Sequence, residues 1–196
     1  MLQYIYDLKW VNTSNELVVI NHGGSEGIES DFIQKIKRKF TLSSTLLIQL
    51  PFKTRNKEST SGPEFKEELE TYEEIFKIIR SLPNFKNITK IKFIGKSVGG
   101  LIQYHFIQNN YLWIEPLSVD LTLLGYLFDH TTINHDFNFP IHIIQGSIDP
   151  WCNLENVSNL VKKYSFIKLS VVEGGNHSFK NTKKEPVFQD LAISLI

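Results

Sequence analysis

Residues 91–100 of the chain read IKFIGKSVGG, an apolar run that leads directly into a glycine-rich turn around Ser97. The apolar run predicts a buried strand, and the pattern that follows predicts a helix. A chain that reverses so sharply needs glycines, because neighbouring backbone passes too close for a Cβ atom. The Ser97 hydroxyl would then project from the turn beside the first amides of the helix. This stretch therefore predicts a serine nucleophile at the end of a strand.

Two further polar residues follow later apolar runs. Asp149 lies in GSIDP and His177 in GGNHSF. A serine hydroxyl is a weak nucleophile at neutral pH and needs a base, for which His177 is the candidate. Asp149 would fix the orientation of His177 and stabilise the imidazolium that forms. The order Ser97, Asp149, His177 along the chain predicts a catalytic triad.

The expected chemistry also requires donors for a negatively charged oxygen. Acyl transfer passes through a tetrahedral oxyanion, which backbone amides can stabilise. We expect one amide from Val98, at the start of the helix after the serine. The other is expected from Gly24, in the turn that follows the first parallel strand. His22, in the same turn, is expected to brace it rather than take protons, and is a candidate substrate-binding residue.

Four motifs together resemble those of the α/β-hydrolase superfamily: His22–Gly24, Gly95–Gly100, Gly146–Asp149 and Gly174–Phe179. The chain is most similar in type to the small dienelactone-hydrolase-like members that lack a lid domain. The resemblance implies a three-layer α/β fold, with helices on both faces of a mostly parallel twisted sheet, and a serine triad. It implies no substrate, because the superfamily includes esterases, thioesterases, peptidases, acyltransferases and catalytically silent members.

Strand and helix patterns alternate along the chain and predict one α/β domain over residues 1–196. Six continuous apolar runs suit strands that are covered on both faces. These predicted strands are Leu17–Ile20, Thr45–Leu50, Ile91–Ile94, Leu121–Leu124, Ile141–Ile144 and Ile167–Val172, with Tyr4–Trp10 as an extra edge strand. The predicted helices are Phe32–Phe40, Glu64–Leu82 with Pro63 in its first turn, Leu101–Leu112, Leu154–Val161 and Val187–Ile196.

Composition excludes several function classes. Lys plus Arg and Asp plus Glu both number 21, so we expect no basic surface for nucleic acid. No signal peptide and no membrane-spanning run is expected. The single cysteine, Cys152, fits a reducing compartment, which predicts a cytoplasmic protein. No metal-ligand spacing and no dinucleotide motif occurs, so no metal and no cofactor is expected.

Several alternatives stay open at this point. Asp129 and Asp136 follow an earlier strand, where some α/β-hydrolases place the acid, although Asp149 is the preferred candidate. The Gly-Lys-Ser sequence around Lys96 suggests a phosphate loop, but position 90, where that motif needs a glycine, is Lys90. The remaining histidines are less well placed as a base: His105, His130, His135 and His142.

The substrate is the least determined feature. The stretch between Ser97 and Asp149 has no room for an inserted lid, so an open cleft is expected, with Lys53–Gly62 as a surface loop over one side. Its rim is predicted to consist of Phe52, Tyr126, Leu127, Phe128, Trp151 and Phe179, of which Tyr126, Trp151 and Phe179 are candidate substrate-binding residues. The predicted function is hydrolysis of a small ester, thioester or related acyl compound. A silent scaffold and an acyltransferase are the alternatives, and no oligomeric state is predicted.

Overall fold

A seven-stranded sheet organises the fold of the computed structural model, which describes residues 4–55, 60–127 and 139–196. The strands are β1 Tyr6–Lys9, β2 Glu16–Asn21, β3 Ser44–Ile48, β4 Lys90–Lys96, β5 Ser118–Leu124, β6 Ile141–Gly146 and β7 Ile167–Val172. Their order across the sheet is β1-β3-β2-β4-β5-β6-β7. Only the pairing of β1 with β3 is antiparallel among these strands.

Helices cover both faces of this sheet. They are α1 Asp31–Lys39, α2 Pro51–Thr54, α3 Lys66–Ser81, α4 Val98–Asn109, α5 Tyr111–Ile114, α6 Leu154–Lys163 and α7 Gln189–Ser194, with a 3₁₀ helix at Pro83–Asn87. Residues of α3, α4 and α6 share one buried apolar cluster, and residues of α1 and α7 share a second on the opposite face. The expected three-layer fold is therefore confirmed.

Central strand β4 shows why the run from Ile91 to Ile94 is mostly apolar. Successive side chains of a strand point to opposite faces. Ile91 and Phe93 therefore join the cluster beneath α3 and α4, whereas Ile94 joins the cluster beneath α1. Both faces of this strand exclude water, as expected for a parallel sheet between two helical layers.

Two helix boundaries differ from the sequence-based expectations. Helix α3 begins at Lys66, because Gly62 and Phe65 close a turn ahead of it: the Phe65 amide donates to the Gly62 carbonyl over 3.1 Å, and Phe65 has a left-handed φ of 51°. Pro63 thus lies in that turn and not in the first helical turn. The central helix ends at Asn109, where the Asn110 side chain donates to a carbonyl of the preceding turn.

The other boundaries shift by a few residues, and the predicted strand Thr45–Leu50 ends at Ile48 because Leu50 caps α2. Part of the predicted Lys53–Gly62 loop, residues 56–59, lies outside the described residues. In the ranges that the structure describes, no helix has both the length and the apolar character that crossing a bilayer requires.

Candidate active site

The backbone at Ser97 forms a sharp turn between β4 and α4. Ser97 has φ 52° and ψ −126°, a strained conformation for a residue other than glycine. Its amide donates to the Leu124 carbonyl of β5 over 2.8 Å, and its carbonyl accepts from the Gly100 amide over 2.9 Å. These bonds hold the strained turn, so the Ser97 side chain projects from the carboxyl end of the central strand.

The glycines of the turn are required by close approaches of backbone. A Cβ atom on Gly95 would stand 2.2 Å from the Cα of Gly100, on the other side of the turn. A Cβ atom on Gly99 would stand 2.3 Å from the carbonyl oxygen of His22. Contacts this short cannot be relieved by a rotamer change, because both partners are backbone atoms. The first helical turn of α4 therefore packs directly on the loop that contains Gly24.

His177 contacts Ser97 from a loop that follows β7. Its Nε2 lies 2.8 Å from Ser97 Oγ, and its Nδ1 lies 2.7 Å from Asp149 Oδ2. In the neutral tautomer that satisfies both contacts, Nδ1 donates to the carboxylate and Nε2 accepts from the hydroxyl. The Asn176 side chain fixes the loop by accepting from the amides of Ser178 and Lys180. The structure thus brings together three residues that are far apart in sequence.

Asp149 is oriented by donors on both carboxylate oxygens. Its side chain is fully buried. Gln145 Nε2 donates to Oδ2, and the Trp151 amide donates to Oδ1, each over 2.8 Å. Charged hydrogen bonds of this kind are strong and directional. The carboxylate therefore faces His177 in a single orientation. The alternative acids, Asp129 and Asp136, lie outside the described residues.

Gln145 is a site residue that the sequence reasoning missed. Its Oε1 accepts from the Tyr126 amide over 2.8 Å, while its Nε2 donates to Asp149. It is buried at the end of β6, so a single side chain connects the loops after β5 and β6. The available signal was an amide side chain at the end of the mostly apolar strand β6, where a buried polar group must find partners.

The surroundings of His177 favour its neutral form. Burial lowers the pKa of this imidazole, the hydrogen bond with Asp149 raises it, and the positive charge of Lys96 lowers it. The net result is a pKa below the ordinary histidine value. At neutral pH the ring can therefore accept a proton from Ser97.

The two amides expected to bind the oxyanion border the same cavity as Ser97. Gly24 and Val98 both line this cavity. The Val98 amide is the first of α4 and so has no partner within the helix. Among the residues that the structure describes, neither amide donates a hydrogen bond. Both amides are therefore available to a substrate oxygen.

His22 is a buried brace and not a substrate-binding residue, which corrects that expectation. Its Nδ1 donates to the Gly23 carbonyl over 2.8 Å, and its Nε2 accepts from the Leu50 amide over 3.0 Å. Burial lowers its pKa to about 4. The ring is therefore neutral, and it ties the Gly24 turn to the start of α2, in agreement with the bracing role expected for it.

An open cavity of about 710 Å³ extends from Ser97. Trp151, which is 68% exposed, forms one wall with its ring centroid 6.3 Å from that of His177. Leu127 lines the cavity as expected. The remaining lining residues were not predicted, and they are neighbours of the motifs or, for Thr60, part of the polar loop: Ser25, Thr60, Pro150, Asn176 and Ser178.

Three aromatic residues expected at the rim lie in the core, which corrects their assignment. Phe179 is fully buried and packs on Phe32 of α1, with ring centroids 5.9 Å apart. Tyr126 and Phe52 belong to the cluster beneath α3 and α4. All three lie near the carboxyl ends of strands, but their side chains pack into the core. Phe128 lies outside the described residues.

The other histidines of the described chain do not join the site. His105 lies beside the Phe65 ring, and His142 Nε2 lies 2.8 Å from Ser170 Oγ. His130 and His135 fall outside the described residues. Within the described ranges, no three His, Cys, Asp or Glu side chains are grouped as metal ligands would be.

Comparison of the sequence with known families gives one match. The model of a family described as alpha/beta hydrolase domain matches residues 14–195. The chain belongs to this alpha/beta hydrolase family. No curated protein matches the chain in sequence.

Solved structures with a similar fold include esterases, a dienelactone hydrolase and a serine hydrolase without a lid. Est1E from Butyrivibrio proteoclasticus with bound ferulic acid has 15% identity and a TM-score of 0.69, covering 98% of this chain and 93% of its own. A lidless serine hydrolase from Xanthomonas campestris has 14% identity and a TM-score of 0.70, covering 97% and 84%. A dienelactone hydrolase from Anabaena variabilis has 15% identity and a TM-score of 0.69, covering 98% and 90%. These similarities agree with the expected dienelactone-hydrolase-like type.

Proposed function

We propose that this alpha/beta hydrolase is a serine hydrolase that cleaves a small ester, thioester or related acyl compound. The observation that carries the proposal is the continuous hydrogen-bond chain from Ser97 through His177 to Asp149, with donor–acceptor distances of 2.8 and 2.7 Å. A protein that only binds a ligand has no need of a histidine that is hydrogen-bonded to a serine in a strained turn. Family membership supports hydrolysis at the level of the class.

The reaction proceeds in two halves. Ser97 Oγ attacks the substrate carbonyl carbon while His177 Nε2 takes the hydroxyl proton. The imidazolium then returns that proton to the departing alcohol or thiol, which leaves an acyl group on Ser97. In the second half, a water molecule loses a proton to His177 and attacks the acyl carbon. The acid product departs as Ser97 regains its proton.

Stabilisation of charge accompanies each attack. The amides of Gly24 and Val98 donate to the oxyanion, and the positive end of α4 lies on the same side. Asp149 offsets the positive charge on His177 at that moment.

The lining of the cavity favours a substrate with a small neutral acyl or aryl group. Among the described residues, no Asp, Glu, Lys or Arg side chain lines the cavity, and Leu127 and Trp151 supply apolar surface. Ferulic acid, the ligand in the structurally similar Est1E, is an aromatic acid, so esters of aromatic acids are a suitable first substrate class. The single cysteine supports the cytoplasm as the compartment of the reaction.

Covalent labelling with a fluorophosphonate, followed by mass mapping, tests the proposal. We expect one adduct on Ser97 in the wild type and none in Ser97→Ala. Ser178→Ala is the matched control, because Ser178 lines the same cavity and should leave labelling intact. A wild type that stays unlabelled would favour a binding protein that keeps the fold without turnover.

A further inference from the structure

Three consecutive residues at the end of strand β5, Leu124–Tyr126, are each connected to a different member of the triad. We refer to them as the β5 segment. The first connection is to the nucleophile, because the Leu124 carbonyl accepts from the Ser97 amide over 2.8 Å. The backbone of Ser97 is strained, and a strained turn persists only where its surroundings hold it. The β5 segment therefore helps to keep the nucleophile in place.

Gly125, the second residue of the β5 segment, lies directly against the base. A Cβ atom on Gly125 would stand 2.8 Å from the carbonyl oxygen of His177 and 3.2 Å from its Cε1 and Nδ1 atoms. Gly125 also has a left-handed φ of 69°, which side chains rarely tolerate. Its amide donates to the Ile144 carbonyl of β6 over 3.0 Å, so the sheet holds it. The glycine thus leaves the space in which the imidazole lies.

Tyr126, the third residue, is connected to the acid through the Gln145 side chain. The Tyr126 amide donates to Gln145 Oε1, and Gln145 Nε2 donates to Asp149 Oδ2, each over 2.8 Å. That carboxylate oxygen also faces His177 Nδ1. The Tyr126 ring is buried in the cluster beneath α3 and α4. Because a close-packed core resists displacement, the β5 segment is a rigid support.

We propose that the β5 segment is the common support that aligns the triad, with Gly125 and Gln145 as positioning residues. The inference rests on the proposed hydrolase function. Each positioning residue acts through another side chain, Gly125 through His177 and Gln145 through Asp149. Neither of the two lines the cavity.

The arrangement of the strands explains why one support is useful. The three triad residues follow different strands, β4, β6 and β7, and β5 lies between β4 and β6 in the sheet. Segments that follow strands are more mobile than the strands themselves. Proton transfer, however, requires the nucleophile, base and acid to keep their mutual distances within a fraction of an ångström. Contact with a single buried strand end meets that requirement.

The first test is Gly125→Ala. The added methyl group would displace the His177 backbone by about half an ångström, because ordinary contacts begin at 3.4 Å. We expect kcat for a small ester to fall by about 10- to 100-fold. Gly62→Ala is the matched control: Gly62 also has a positive φ, of 139°, but its Cβ position meets no atom of the described residues within 4 Å. The control should keep the wild-type kcat.

The second test is Gln145→Leu, which removes both hydrogen bonds and keeps a side chain of similar size. We expect kcat to fall by roughly tenfold or more, because Asp149 loses a donor that orients it. KM should change little, since Gln145 does not line the cavity. Gln49→Leu is the control, because Gln49 accepts from the Ile28 amide and, in the described chain, bonds no member of the triad.

Proton NMR supplies a signature of the alignment itself. The hydrogen on His177 Nδ1, which is bonded to Asp149, gives a resonance at low field. This resonance should shift or broaden in both Gly125→Ala and Gln145→Leu, and it should stay unchanged in the two controls. A merely structural role would lower the melting temperature of the variants and leave the resonance in place.

The outcomes separate the inference from the proposed function. If Ser97 of the wild type reacts with a fluorophosphonate but Gly125→Ala and Gln145→Leu keep the wild-type kcat and resonance, the role of the β5 segment is refuted and the hydrolase stands. A wild type that never reacts refutes the hydrolase and the inference with it.

Amide hydrogen exchange in the wild type decides the matter if neither variant folds. The Tyr126 amide should exchange at least roughly 100-fold more slowly than an unbonded amide, because Gln145 holds it in the core. Rapid exchange of this amide would overturn the inference without any substitution.

Discussion

At the scale of single residues, Asp149 decides the tautomer of His177. In Asp149→Asn, an amide NH₂ directed at Nδ1 would meet the donors of both His177 and Gln145. The imidazole would then carry its hydrogen on Nε2 and could not accept from Ser97. We expect turnover of a p-nitrophenyl ester to fall by about 10⁴, the loss known for the same change in another serine hydrolase.

The control for this substitution is Asp190→Asn, since Asp190 is exposed and pairs with Lys35 on the surface. It should retain wild-type turnover, and circular dichroism should show both variants folded. Near-normal activity of Asp149→Asn would mean that Asp129 or Asp136, and not Asp149, is the acid of the triad.

The lowered pKa of His177 gives a second prediction at this scale. Only neutral His177 can act as the base, so kcat/KM rises with pH through the histidine pKa and is constant above it. Because burial lowers that pKa, the midpoint should lie below the ordinary histidine value of about 6.5. A pH–rate profile on a small ester measures it, and a midpoint above that value would contradict the assignment. His177→Ala should remove most of the activity.

At the scale of elements, the contact between α4 and the Gly24 turn positions the two amides that we propose as oxyanion donors. Gly99→Ala would press a methyl group against the His22 carbonyl, which lies 2.3 Å from the Cβ position. The turn would move away from the helix and carry the Gly24 amide out of reach. We expect kcat to fall by about 10² to 10³, as for the loss of one oxyanion donor.

Gly27→Ala supplies the comparison for Gly99→Ala. Its Cβ position is 3.3 Å from the end of the Gln49 side chain, a much milder contact than the 2.3 Å to backbone at Gly99. Steady-state kinetics on both variants should show a loss of kcat in Gly99→Ala alone. Equal turnover in the two proteins would mean that this contact does not position Gly24.

The strands, helices and turns also show which features could be predicted from sequence. Parallel strands covered on both faces require continuous apolar runs, so their positions follow from the sequence alone. The start of α3 could not be predicted, because Pro63 suits a turn as well as a first helical turn. Candidate triad residues are recognisable from their glycine-rich turns. Side-chain directions after the motifs are set by packing, which is why Phe179 and Tyr126 were placed wrongly.

At the scale of the whole molecule, buried His22 links stability to pH. Its pKa falls from 6.5 in the unfolded chain to about 4 in the fold, so the unfolded state binds more protons between these values. The free energy of unfolding is therefore highest above pH 6.5 and decreases as pH falls towards 4. The contribution of His22 to that decrease is on the order of 3 kcal/mol.

Urea denaturation at pH 7 and pH 4.5 measures this dependence. His22→Gln should be less stable at pH 7, because it loses packing, but should change less between the two pH values than the wild type. His142→Gln replaces a histidine that is only half-buried. It should reduce the pH dependence of the unfolding free energy less than His22→Gln does. If His22→Gln loses as much free energy of unfolding between pH 7 and pH 4.5 as the wild type does, other groups control unfolding in acid.

The order of the triad along the chain has a consequence for biosynthesis. Ser97 leaves the ribosome well before the loop after β7, and the sheet partner that positions His177 is the last strand to be made. Domains fold progressively as they emerge. On the proposed mechanism, a nascent chain thus displays Ser97 before the strand that positions His177 has formed, and a truncated chain would lack the base. Reactivity of Ser97 would then await completion of the sheet.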